Sequence, residues 1–274
     1  MTVAPVVKPR PQATLDVLRA ERLSEHFVRI VAGGPGFTAF EPNGFTDMYV
    51  KIHFLRPGVR YPEPVDVFGL REFMPREDWP ATRTYTVRWV NTKARELAID
   101  FVIHGDEGLA GPWAAAAKPG DRLIVSGPGG AYAPDPSADW YLFAGDESAV
   151  PAISAALEAL PAGAVGHAFL EVGAEDDALP VAAPGGITLE WLVRDGTSAV
   201  PGSLLVEAVA GMPWRAGDPQ VFAHGEREAM KALREVLFKQ RQLPRSRVSL
   251  SGYWAYGRNE DSFQAEKKTP LGKV

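Results

Sequence analysis

The 274-residue chain contains no cysteine. That removes disulfides, thiolate zinc sites, iron–sulfur clusters and redox dithiols from consideration. Any redox chemistry must therefore rest on an organic cofactor. Long apolar runs are missing too: charge or proline interrupts each one well short of a bilayer span. The opening Met1-Thr2-Val3-Ala4-Pro5 lacks the basic patch and apolar core of a secretory leader. A basic surplus is also absent, the formal net charge being −5, which argues against general nucleic-acid binding. These absences predict a cytoplasmic protein with no membrane and no nucleic-acid partner. His26, His53, His104, His167 and His224 show no ligand spacing with carboxylates, so no metal site is expected. Neither a Gly-x-Ser-x-Gly elbow nor a phosphate-loop lysine occurs, and the three-glycine dinucleotide fingerprint is lacking.

What is abundant is turn chemistry. With 27 Gly and 24 Pro, the chain has the punctuation of a protein rich in antiparallel strands. Short strand-like runs, Leu15–Leu23, Phe27–Gly34, Asp47–Leu55, Arg83–Val90, Glu96–His104 and Asp121–Ser126, fill the first half and suggest a barrel or sandwich. Arg60–Pro80 reads as an irregular loop, and a short helix is expected near Pro112–Ala117. The pattern changes after Gly127-Pro128-Gly129-Gly130 and Asp135-Pro136-Ser137. Trp140–Ala144 is continuously apolar, as a parallel strand buried on both faces would be. Further strands at Gly166–Val172, Ile187–Val193, Pro219–Ala223 and Val248–Gly252 alternate with helical stretches, of which Glu226–Arg241 is the most amphipathic. The predicted fold is an antiparallel β domain over 1–135 followed by a parallel α/β domain over 136–274.

Four segments have chemistry to offer. Arg83-Thr84-Tyr85-Thr86-Val87-Arg88 puts Arg83, Tyr85 and Val87 on one strand face, with Thr84, Thr86 and Arg88 on the other. An arginine, an aromatic and a hydroxyl so close together suit a phosphate and a flat ring, and equally suit an ordinary exposed strand. His104-Gly105 ends a strand, and Gly111-Pro112-Trp113-Ala114 opens the short helix, where backbone amides can meet phosphate. Gly145-Asp146-Glu147-Ser148-Ala149 follows a buried strand and enters a helix, as does His224-Gly225-Glu226; both are strand-end turns of the kind that border nucleotides or simply cap helices. Ser251-Gly252-Tyr253-Trp254-Ala255-Tyr256 packs aromatics beyond the last strand, to wall a flat ligand or to pin the tail. Gln264–Lys268 is a charged run that by default lies in solvent.

Taken in order, these pieces resemble the siderophore-interacting protein family of the ferredoxin-reductase superfamily. The resemblance runs from about Leu15 to Lys268, on Arg83–Arg88, Asp100–Gly105, Gly145–Ala149 with Pro151-Ala152-Ile153, and Ser251–Trp254 with Gly257-Arg258. It implies a six-stranded antiparallel FAD-binding β-barrel, then a parallel-sheet nicotinamide-binding α/β domain. It further implies that Arg83 meets the FAD pyrophosphate, Tyr85 packs on the flavin and Thr86 bonds its redox edge, with Arg88 on the same strand. His104 and Gly111–Ala114 would complete the phosphate and adenine side. Gly145, Asp146, Glu147, Ser148, Gly225, Glu226 and Trp254 would border the nicotinamide. Lys51, Arg258, Lys267 and Lys268 would form a basic rim for an anionic ferric siderophore. No catalytic acid or base is named, because single-electron transfer to Fe(III) needs none. Glu171 and Glu175-Asp176-Asp177 would repel a 2′-phosphate and so favour NADH over NADPH, although Arg194 stands where it would receive one. The expected activity is ferric-siderophore reduction from NAD(P)H through FAD, with a ferredoxin-like protein as the alternative donor. A general flavin reductase with a non-iron acceptor and a non-catalytic siderophore- or flavin-binding protein are the rivals.

Overall fold

Alternating burial builds the first unit. In the computed structural model, which describes residues 11–103, 108–267 and 269–274, strand β1 (Gln12–Arg22) turns Ala13, Leu15 and Val17 inward, while Thr14 and Leu18 face out. Strands β2 (Phe27–Gly33), β3 (Tyr49–Phe54), β4 (Ala81–Asn91), β5 (Glu96–Val102) and β6 (Arg122–Gly129) complete an antiparallel barrel, closed in the order β1-β2-β5-β4-β3-β6. Its core gathers Leu15, Ile30, Val50, Ile52, Leu97, Ile99 and Val125. Helix α1 (Ala110–Ala116) closes one end by setting Trp113 between Phe54 and Phe101, with ring centroids 5.5 and 5.7 Å apart. Strand β6 runs past the expected end at Ser126 into the glycine-rich stretch read as linker. His104 and Lys268 lie outside the described residues.

The second unit is a parallel sheet. Strand β7 (Trp140–Asp146) is buried at every position, as its unbroken apolar run requires. It is followed by α2 (Val150–Glu158), β8 (Val165–Val172), β9 (Gly186–Val193), α3 (Ser203–Gly211), β10 (Pro219–Glu226), α4 (Arg227–Arg234) and β11 (Val248–Trp254), in the sheet order β11-β10-β7-β8-β9. Helix α2 covers one face; α3 and α4 cover the other. The strand order reverses between β7 and β10, so their carboxyl ends form the switch point at which such sheets accept ligands. The long amphipathic helix expected at Glu226–Arg241 is α4 followed by a π-helical turn, Glu235–Gln240. Glu226 itself is the N-cap, accepting from the amides of Glu228 and Ala229.

Side chains tie the two units together. Arg88 makes a two-pronged ion pair with Glu158 of α2. The buried Asp177 accepts from Ser24 Oγ and stands 2.9 Å from His26 Nδ1. Asp47 accepts from the amides of Ala131 and Tyr132, which fixes the connecting segment against the barrel. The tail is ordered as well: α5 (Glu260–Glu266) is capped by Asn259 and anchored by the buried Phe263. The solvated tail expected from its charge is thus a docked helix.

One buried histidine makes the barrel acid-sensitive. His53 is 5% exposed, with Nε2 2.9 Å from Ser126 Oγ and Nδ1 3.2 Å from Thr82 Oγ1. Burial, then the charges of Arg71 and Lys51, lower its pKa to about 4. An unfolded histidine titrates near 6.5, so the folded state binds fewer protons below that pH. Stability is intact above 6.5 and is lost as pH falls towards 4, by about 2 kcal/mol for this one residue at pH 5. H53Q, which can still hydrogen-bond both hydroxyls, should shrink the pH 7 to pH 5 loss by about that amount in urea melts. An unchanged loss would remove His53 from the account.

Candidate functional site

A cavity of about 530 Å³ lies between the barrel and the sheet, a size that suits a small-molecule cofactor. The barrel contributes Tyr49 and Lys51 from β3, residues 83–86 from β4, and Asp100 and Val102 from β5. The α/β unit contributes Glu147, Ser148 and Pro151 after β7, and Ser251, Tyr253 and Trp254 on β11; α5 adds Glu260 and Gln264, and its C-cap Lys267. The site is therefore made jointly, at the carboxyl ends of β7 and β11.

Register explains the β4 wall. Thr84 pairs with Lys51 and Tyr85 with Val50, which brings the β4 hydroxyls against the lysine, and Lys51 Nζ donates to Thr84 Oγ1 at 3.0 Å. The cavity wraps this strand, so Arg83, Thr84, Tyr85 and Thr86 all border it, where the strict two-face reading would have admitted only alternate residues. Tyr85 lies against Phe101 with centroids 4.4 Å apart, which holds the ring rigidly at the cavity wall. Tyr253 hydrogen-bonds Thr86, and burial pushes the phenols of Tyr85 and Tyr253 far above the usual range, so both are neutral hydroxyls at working pH. Arg83 donates to its neighbour's carbonyl, Thr82 O, and pairs at 3.3 Å with Asp261, a side chain 80% exposed. Arg88, expected on the same strand as the other cofactor residues, stands apart from the cavity. Pairing slips between Val87 and Trp89, a bulge that leaves Arg88 bonded to Glu158 and out of the cavity lining.

The strand-end turns divide between the cavity and the scaffold. Glu147 and Ser148 line the cavity; Gly145, Asp146, Gly225 and Glu226 do not. Asp146 is fully buried and accepts from the amides of Ser148 and Glu226 and from Trp254 Nε1 at 2.8 Å, so it aims the tryptophan at the cavity. Burial, and then the Glu147 charge, push its pKa up to about 7 against those donors. Gly225 has φ +155°, and a Cβ there would fall 2.6 Å from Asp146 Oδ2; its smallness serves this carboxylate rather than a ligand. Gly111, Pro112, Trp113 and Ala114 likewise cap the barrel and do not line the cavity. Of the residues expected to form a basic rim, Lys51 and Lys267 line the cavity, whereas Arg258 is turned to Glu266, which also holds Arg227. Lys267 sits 4.6 Å from the Phe263 ring, and desolvation lowers its pKa, opposed by Glu260 and assisted by Lys51.

Of the four acids taken to favour NADH, Glu171 and Asp177 are occupied elsewhere, while Glu175 and Asp176 are exposed. Glu171 is fully buried and accepts from Arg194 Nη1 and from the amides of Gly202 and Leu205; Asp177 holds Ser24 and His26. Arg194 also binds Glu147. The sequence reading missed Glu260 and Gln264, although with Lys267 they repeat at i, i+4 and i+7, the signature of one helix face. Among the described residues no group of His, Asp and Glu could hold a metal ion, and no helix is long and apolar enough to cross a membrane.

The residues at the cavity fit a flavin nucleotide: a guanidinium for phosphate, a braced aromatic, and a hydroxyl beside it. Comparison with known proteins points the same way. Residues 16–132 match the model of the siderophore-interacting FAD-binding domain, and residues 138–257 match that of the siderophore-interacting protein. Ferric vibriobactin reductase ViuB of Vibrio cholerae is 34% identical, over 92% of this chain and 93% of its own. The NADPH-dependent ferric-chelate reductase of Escherichia coli is 36% identical, over 88% and 91%. The crystal structure of the siderophore-interacting protein SipS from Aeromonas hydrophila superposes with a TM-score of 0.78 at 30% identity, covering 94% of this chain and 97% of that one. With both family models matched in order and nearly the whole chain aligned, the chain belongs to the siderophore-interacting protein family.

Proposed function

We propose that the protein is an FAD-dependent ferric-siderophore reductase supplied by NAD(P)H, with an FAD domain over 1–135 and a nicotinamide domain over 136–274. The observation that carries this is the meeting of Arg83, Tyr85 and Thr86 with Ser148 and Trp254 around one cavity. FAD held there supplies hydride acceptance and release of electrons one at a time. The chain's own part is positioning. Arg83 offers a fork of donors to the pyrophosphate, Tyr85 a flat apolar face, and Thr86, braced by Tyr253, a hydrogen bond to the redox edge. Ser148 and Trp254 border the nicotinamide, and Lys51 and Lys267 draw in the ferric complex. No proton has to move at the iron, and Fe(II) leaves because hard oxygen ligands hold it less tightly. The named activities of the two reductase relatives support this reading. Glu171 and Asp177 are consumed structurally and carry no preference for NADH over NADPH, and the exposed Glu175 and Asp176 do not line the cavity.

The test is an anaerobic visible spectrum of the purified protein, before and after NADH or NADPH and then a ferric siderophore. Bleaching by a nucleotide followed by recovery with the ferric complex is the expected result. Flavin that stays oxidised with both nucleotides would leave a binding protein, or one served by a ferredoxin-like donor. Flavin that bleaches without reoxidation by iron would leave a flavin reductase with another acceptor.

A further inference from the structure

The charges that line the cavity are not all available to a ligand. Asp100 is clamped by two nitrogens of Arg29 and Glu147 by Arg194, and Arg83 is the group assigned above to the FAD pyrophosphate. That leaves Lys51, Lys267 and Glu260. Glu260 is half-buried at the start of α5, and its Oε1 accepts only a neutral amide, Gln264 Nε2 at 2.9 Å. Among the described residues no cation lies within salt-bridge distance of it. Its charge is nonetheless felt across the cavity, since it disfavours ionisation of Tyr85 and favours that of Lys267. An acid in the first turn of a helix has a dipole role, but that role does not require it to face the cavity.

We propose that Glu260 is a specificity-determining residue that sets the charge class of the ferric complex: it disfavours strongly anionic tris-catecholates and favours tris-hydroxamates that are neutral or carry a pendant ammonium. The inference rests on the function proposed above. Two lysines and one carboxylate that forms no ion pair make the cavity dipolar rather than a general anion trap. A polyanion gains from the lysines and is repelled by Glu260, whereas a pendant ammonium has a partner in Glu260. These charges lie within a Debye length, about 8 Å at physiological salt, of any ligand that fills the cavity.

The experiment uses flavin-loaded full-length protein and redox-inert gallium(III) complexes, so that binding is read without turnover. Gallium(III) enterobactin and gallium(III) desferrioxamine B are titrated by calorimetry into wild type, E260Q and E235Q. Glu235 lies on the π-helical turn, does not line the cavity, and matches the change in net charge. E260Q should bind the catecholate about fivefold more tightly and the hydroxamate about twofold more weakly, with both effects shrinking in high salt. E235Q should change neither. A second variant, K267Q, should loosen the catecholate. If wild type binds both complexes and E260Q moves them in the same direction, or moves neither, the charge assignment fails and the reductase reading stands. If wild type binds neither complex, both fall together.

Discussion

Arg83→Ala should purify as folded protein that has lost most of its flavin. Arg83 is the cationic side chain on the β4 wall of the cavity, and its competing ties are modest: one backbone carbonyl and an ion pair with a largely exposed Asp261. Pairs of that kind contribute little to stability, so the fold should survive. A hydrogen bond to a charged group contributes about 1.5–3 kcal/mol, which makes the expected loss of FAD affinity about tenfold to a hundredfold. Fluorescence titration of the apoprotein with FAD measures it. Arg83→Lys keeps the charge without the planar fork and should fall between the two. D261N, which frees Arg83 from its protein partner, should bind FAD at least as tightly as wild type. Wild-type affinity in Arg83→Ala would mean that the phosphate is held elsewhere, and the strand would lose its assigned role.

Much of the architecture was legible because each element had a local reason to form. Strand β1 alternates, β7 is apolar throughout, and α2 begins with Pro151 in its first turn, where a missing amide costs nothing. What could not be read were relations between distant segments. The barrel's closing order sets Thr84 against Lys51, and no local pattern shows that. Arg88 left the cavity because of a bulge opposite β5. The tail looked solvated because most of its residues are charged; one apolar side chain, Phe263, and an asparagine cap were enough to dock it. The acids after the parallel strands misled for the same reason. An exposed acid awaiting a ribose and a buried acid satisfied by distant amides have the same sequence signature.

Glu171 is the clearest of these, and its replacement should show which kind it is. All of its acceptor contacts are internal: Arg194 Nη1 at 2.7 Å, Gly202 N at 2.6 Å and Leu205 N at 2.9 Å. It thus satisfies amides at the start of α3, and through Arg194 it reaches Glu147 at the cavity edge. Glu171→Ala would leave those amides without an acceptor in a dry interior and remove one of the two carboxylates around a largely buried guanidinium. Breaking a buried pair in this way costs about 3–5 kcal/mol, so a large drop in the urea midpoint is expected. Glu171→Gln keeps the shape but turns an N–H₂ towards at least one donor, and should fall part of the way. If Glu171 instead read the ribose, the alanine variant would keep its stability and shift the ratio of kcat/KM between NADH and NADPH by tenfold or more. The burial of its carboxylate leads to the opposite expectation, a destabilised enzyme whose nucleotide preference is nearly that of wild type.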